Sequence, residues 1–234
     1  MQSQWFWPRG LREASATIYQ FNMPNKVGKP DPESSKPFNP LAKKQLAQSI
    51  AEALLISDLC SLPPSTRFPG AGIYAIYYSG AAPRYRRLIE RNAASESLAP
   101  IYVGKAIPSG GRKGGTDFDA APGNSLFSRL SEHADSIIET TDLEIDDFQC
   151  RYLVVDDIWI PLGESLLIDR FRPLWNVLID GFGNHAPGAG RYQQKKSPWD
   201  ALHPGRRWAE KLQPSAKTVE IIESEIAAFF QKGD

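Results

Sequence analysis

GIYAIYY at residues 72–78 and PIYVGKA at residues 100–106 are the two runs that decide how this chain folds. Both are dense in β-branched and aromatic residues and are flanked by Gly, Pro and Ser, the composition of half-buried strands in a small sheet. Each carries a tyrosine at the matching place, Tyr74 and Tyr102, 28 residues apart. Strand pairing can set these two side by side, and a buried tyrosine keeps a hydroxyl that needs a partner. The plain reading of the pair is two core aromatics.

Outward from these runs, the chain reads as alternating helices and strands. A helix is expected from Asn39, with Pro40 in its first turn, to about Ser57, its stripe formed by Leu46, Ile50 and Leu54. A short arginine-rich helix follows the first strand at residues 83–92. After the second strand, residues 106–123 include GGRKGG, which cannot build a core and is expected to stay mobile or close onto a ligand. Asn124 is an expected N-cap for a helix to about Asp135. FQCRYLVV at 148–155 is a third strand, and a helix beginning near Pro161 is stopped by Pro173. A closing helix is expected from Ser215 to about Gln231, lined by Val219, Ile222, Ile226 and Phe229. This order predicts an α+β fold with a small, mostly antiparallel sheet flanked by helices. Residues 1–38, rich in Pro, Lys, Ser and Asn and anchored by Trp5, Phe6 and Trp7, read as an N-terminal arm. Residues 39–176 read as the folded core with its preceding helix and 177–234 as a C-terminal extension of loops and a closing helix.

Composition narrows the class. The chain has 234 residues, 41% of them hydrophobic and 23% charged, the proportions of a soluble globular protein. No run of about 18 apolar residues is present to span a membrane, and MQSQWFWPRG lacks signal-peptide features, so the expected compartment is the cytoplasm. Two cysteines, Cys60 and Cys150, exclude a disulfide framework or a four-cysteine zinc site and are expected to be reduced. Net charge is zero, which argues against coating of nucleic acid by bulk electrostatics. The charge is nevertheless uneven: residues 132–147 hold seven acids and no Lys or Arg, while residues 184–211 hold six Lys or Arg against two acids. A neutral protein with one basic face has this pattern, as does a set of solvated loops.

Chemistry gathers on two helices. Arg129 and His133 stand four apart, so they leave one helix face about 5–6 Å from each other. Arginine offers planar donors to phosphate oxygens and histidine moves protons near neutral pH, so the pair suits an anion site; a surface pair linked to Glu132 or Asp135 is the plain alternative. Glu164 stands among Leu162, Leu166 and Leu167. A carboxylate there is explained by a bound cation, by a pairing arginine, or by capping of the helix N-terminus. Asn176 follows in the turn PLWN, where it can fix the backbone or hold that carboxylate.

Together these residues resemble the GIY-YIG nuclease superfamily, named for its first two strands, with Tyr-Val-Gly here in place of Tyr-Ile-Gly. Such nucleases carry an arginine on the helix after the second strand, often a histidine four residues later, then a metal-binding glutamate and an asparagine. Tyr74, Tyr102, Arg129, His133, Glu164 and Asn176 match those elements in order over residues 72–176. The resemblance implies phosphodiester hydrolysis. Glu164 is then the ligand of one Mg²⁺ per site, with Mn²⁺ as a substitute, because Mg²⁺ keeps several waters and binds through few carboxylates. Arg129 stabilises charge at phosphorus. Tyr74 is the expected general base, its pKa of about 10 lowered by Lys105, Arg129 or the metal. His133 takes or orients the phenol proton, and Tyr102 positions Lys105 or the phosphate. The competing mechanism makes Tyr74 a covalent nucleophile.

Residues 183–209 interleave basic and amide side chains with Tyr and Trp, the types that read phosphates and base edges. Arg191, Gln193, Gln194, Lys195, Arg206 and Arg207 are the candidate DNA contacts; a structural tail packed by Trp199 and Trp208 is the alternative. The tail, the arginine–histidine helix and the arm resemble the GIY-YIG type II restriction endonucleases that cut CCGCGG. That resemblance implies double-stranded DNA as substrate, a homodimer matched to the palindrome, and a cognate DNA methyltransferase encoded nearby. Homing or repair-type GIY-YIG nickases, and a non-catalytic DNA-binding protein on the same scaffold, are the alternatives.

Overall fold

The computed structural model describes residues 42–95, 97–108, 123–188 and 191–231. The N-terminal arm, the expected helix start at Asn39 and Pro40, and the glycine-rich stretch at 109–122 lie outside these residues.

The described elements are α1 (Lys43–Leu55), β1 (Cys60–Ser61), β2 (Gly72–Tyr78), α2 (Arg86–Ala93, preceded by a 3-10 turn at Pro83–Tyr85) and β3 (Tyr102–Ala106). They continue with α3 (Ser125–Ile138), β4 (Phe148–Val154), α4 (Ile160–Phe171), α5 (Leu174–Val177), α6 (Pro198–Leu202) and α7 (Val219–Gln231). The four strands form one antiparallel sheet in the order β1-β4-β2-β3. The fold is therefore α+β with an antiparallel sheet, as the sequence predicts. α7 starts four residues later than expected, because Ser215 caps a turn at Lys217 rather than a helix.

The expectation of half-buried strands fails for β2, which is buried at all seven positions. It lies between β4 and β3, and both sheet faces are covered. Ile73, Ala75 and Tyr77 pack with Val103 under α1 and α4, while Tyr74, Ile76 and Tyr78 face α3 and the C-terminal segment. A strand covered on both sides needs no polar alternation, so its sequence is a continuous apolar run.

Residues beyond 177 share the second of these cores, with Trp199, Leu202, Ile222 and Ile226 in one cluster with Tyr74 and Leu130. α4 approaches the other face closely. A Cβ on Gly163 would stand 2.8 Å from Ile50 and 3.0 Å from Ile73, so only glycine lets α4 lie this near the sheet. The neighbouring Glu164 is thereby brought to β3. Asn124 precedes α3, but its side chain makes no cap; with its amide oriented to suit its neighbours it bonds the Phe68 carbonyl and Arg67.

Candidate active site

The sheet register builds the site. Tyr74 pairs with Gly104, and Tyr102 pairs with Ile76, so the two tyrosines share a face on a diagonal with ring centroids 6.3 Å apart. A Cβ on Gly104 would fall 2.4 Å from the Tyr74 hydroxyl oxygen. The glycine of the second run is thus the floor under the tyrosine of the first.

β3 is an edge strand, and its free edge is closed by Asn176. The Asn176 carboxamide accepts from the Val103 N–H at 2.8 Å and donates to the Val103 carbonyl at 2.8 Å. Trp175 N–H donates to the Ile101 carbonyl at 3.0 Å. Of the two roles open to Asn176 in the sequence, it fixes the backbone beside Tyr102.

α3 buries Leu126, Leu130, His133, Ala134 and Ile137 as one stripe, which turns His133 inward and leaves Arg129 at its edge. His133 Nε2 lies 2.6 Å from the Tyr74 hydroxyl, and its ring stacks on Phe182 at 4.4 Å. The charge of Arg129 also acts on the Tyr74 hydroxyl, favouring its ionised form. A neutral ring with its proton on Nδ1 leaves Nε2 free to accept the phenolic hydrogen of Tyr74. Burial, reinforced by the charge of Arg129, holds His133 well below the usual imidazole range, so the ring is neutral.

Burial also dominates Tyr74. It drives the phenol well above its usual pKa, Tyr102 adds to the rise, and Arg129 opposes it. The expectation that neighbouring cations lower Tyr74 is therefore corrected for the protein alone: desolvation outweighs the arginine. Tyr102 moves the same way, first through burial, and Glu164 raises both phenols, which places the carboxylate within electrostatic reach of both.

Among the described residues Glu164 neither caps α4 nor pairs with an arginine. Lys105, which pairs with Ile73 on the α4 face, meets it with Nζ 2.6 Å from Oε2. Lys105 is thus held by Glu164, on the face opposite Tyr102. Among the described residues no three His, Cys, Asp or Glu side chains converge as a metal cage. A single, partly buried carboxylate is the donor set suited to an ion that retains its own waters.

Arg129 meets three further groups: Glu132 Oε2 at 2.9 Å, the Gly183 carbonyl at 2.7 Å and His185 Nε2 at 2.5 Å. The expected surface pair with Glu132 is thus present, and the same guanidinium acts electrostatically on Tyr74. His185 escaped the sequence reading; its only signal is a histidine in a segment otherwise of Gly, Asn, Ala and Pro.

Of the candidate DNA contacts, Arg191, Gln193, Gln194, Lys195 and Arg207 are exposed. Arg191, Gln194 and Lys195, with Asn184 and His185, line an open cavity of about 520 Å³. Arg206 must be withdrawn from the set. It is 1% exposed, bonds Asp200 through Nε at 2.7 Å, donates to the carbonyls of Gly181, Phe182 and Asn184, and lies between Trp199 and Trp208. With its donors so engaged inside the protein, it organises the loop and has nothing left for DNA.

No curated protein matches the chain. A family model described as the Eco29kI GIY-YIG domain matches residues 66–230, which include the whole constellation and the C-terminal segment. The match covers β2, β3 and α3 with Tyr74, Tyr102, Arg129 and His133, and the chain belongs to the Eco29kI family of GIY-YIG restriction endonuclease domains.

Proposed function

We propose that this protein is a type II restriction endonuclease that hydrolyses both strands of DNA at a GC-rich palindrome, CCGCGG, using Mg²⁺ at Glu164 and Tyr74 as general base. One observation carries the mechanism: the Tyr74 hydroxyl lies 2.6 Å from Nε2 of a neutral His133, within the field of the Arg129 guanidinium. A buried phenol cannot release its proton to solvent cheaply. Handing it to His133 Nε2 keeps the proton within the pair and leaves the site's net charge unchanged.

The steps follow from that arrangement. The incoming phosphodiester lies against Arg129, and its negative charge offsets the effect by which the guanidinium disfavours a charged His133. As Tyr74 passes its proton to His133, the phenolate oxygen takes a proton from the attacking water. The water oxygen bonds to phosphorus as the bond to the 3′-oxygen breaks, and Arg129 donates to the oxygens on which charge grows. Glu164 would hold Mg²⁺, which would supply neutralisation of the phosphate and of the leaving oxygen. Lys105 shares that carboxylate and holds it at β3 until a cation competes for it.

Arg191, Gln193, Gln194, Lys195 and Arg207 are assigned to the DNA, and a homodimer to its two half-sites, with a cognate methyltransferase encoded nearby. The test is incubation of the protein with phage or plasmid DNA, with Mg²⁺ and with chelator. Discrete metal-dependent fragments are expected. Nicked circles would favour a repair-like nickase, a trapped protein–DNA adduct would make Tyr74 a nucleophile, and a gel shift without cleavage would leave only a DNA-binding protein.

A further inference from the structure

We propose that His185 is a positioning residue for Arg129, and that through it the loop at residues 183–188 ties the catalytic arginine to the cavity assigned to DNA; the inference rests on the nuclease reading above. Because a guanidinium has no acceptor, His185 Nε2 must accept from Arg129 Nη1. The His185 proton then sits on Nδ1, which faces Glu132 Oε2 at 3.9 Å, and Glu132 in turn accepts from Arg129 at 2.9 Å. Arg129 is therefore clamped from its outer side by an imidazole, a carboxylate and the Gly183 carbonyl, while its charge acts on Tyr74.

His185 has no role in the core. Its side chain is 63% exposed, and it stands on the rim of the cavity that Arg191, Gln194 and Lys195 also line. The loop that carries it is rigidly based. Arg206 holds the carbonyls of Gly181, Phe182 and Asn184, and the Gln213 N–H donates to the Gln194 carbonyl at 2.9 Å. A nucleic acid entering the cavity therefore meets the same side chain that sets the plane of the catalytic guanidinium. DNA that fits the cavity leaves this clamp in place, whereas DNA that pushes His185 aside loosens Arg129.

His185→Ala and His185→Gln separate positioning from binding or folding, because the glutamine carboxamide oxygen can still accept from Arg129. The measurements are the single-turnover cleavage rate on a phage DNA fragment that the wild type cuts, and the Kd for that fragment without metal. For His185→Ala the rate is expected to fall roughly ten- to hundredfold while Kd moves less than about threefold, and His185→Gln recovers most of the rate. Wild-type cutting by His185→Ala overturns the inference and leaves the nuclease reading standing, as does an equal loss of rate and affinity that glutamine does not restore. A wild-type protein that cuts no DNA overturns both.

Discussion

Lowering the pH from 7 to 5 should destabilise this protein through two buried histidines. His133 and His203 are each 1% exposed, and burial depresses both, His133 further than His203. In the unfolded chain an imidazole titrates near pH 6.5, so below that value the unfolded state binds protons that the folded state refuses. Stability therefore rises with pH through this window and is lost as pH falls. For one histidine that stays neutral when folded, the loss between pH 7 and 5 is about 2 kcal/mol. His133 contributes that amount, and His203 adds up to about 2 kcal/mol more, less whatever its bond to Asp142 returns. Urea unfolding at half-unit steps from pH 7 to 5 measures the slope directly. His203→Gln, which keeps an amide toward Asp142 and Tyr85, should remove part of the slope, leaving the His133 share. A stability that is flat or rises as pH falls from 7 to 5 would refute the assignment of both rings as neutral.

Other consequences are equally specific. Gly104→Ala places a methyl group 2.4 Å from the Tyr74 hydroxyl, and overpacking of this kind should cost about 1–3 kcal/mol in urea unfolding and abolish cleavage. Asn176→Ala leaves the Val103 N–H and carbonyl on the sheet edge without partners, and should cost about 1–3 kcal/mol, with faster hydrogen exchange at Val103. Arg206→Ala strands the buried Asp200 carboxylate and should cost about 3–5 kcal/mol, whereas Arg191→Ala and Lys195→Ala should change stability by less than about 0.5 kcal/mol. The same two surface substitutions should weaken DNA binding and flatten its dependence on salt.

Much of this architecture is legible in the sequence because its signals are local. β2, β3 and β4 are short runs of branched and aromatic residues, and α3 and α4 have clear starts or stops. The tyrosines, Arg129, His133, Glu164 and Asn176 belong to elements whose order can be read along the chain. What escapes is what depends on distant partners. Lys105 and Glu164 meet where β3 faces α4, Tyr85 and His203 bond at 2.5 Å across 118 positions, and neither pairing has a sequence pattern. Burial reverses two readings for the same reason. Tyr74 reads as a phenol among cations, yet full desolvation decides its pKa. Arg206 reads like Arg191 and Arg207, yet Asp200 and two tryptophans draw it inside, and only the three-dimensional packing of Trp199 tells the three arginines apart.

The most direct measurement is the single-turnover rate of Tyr74→Phe on DNA that the wild type cuts, with Kd measured alongside. The change removes one oxygen and leaves the ring that fills the core, so the fold and DNA affinity should be kept, with stability lower by about 1–3 kcal/mol for the His133 Nε2 left without its partner. General-base loss predicts a fall in rate of roughly 10²–10⁴-fold. A Tyr74→Phe protein that binds and cuts like the wild type would mean that the Tyr74 hydroxyl, with His133 beside it, plays no part in the chemistry.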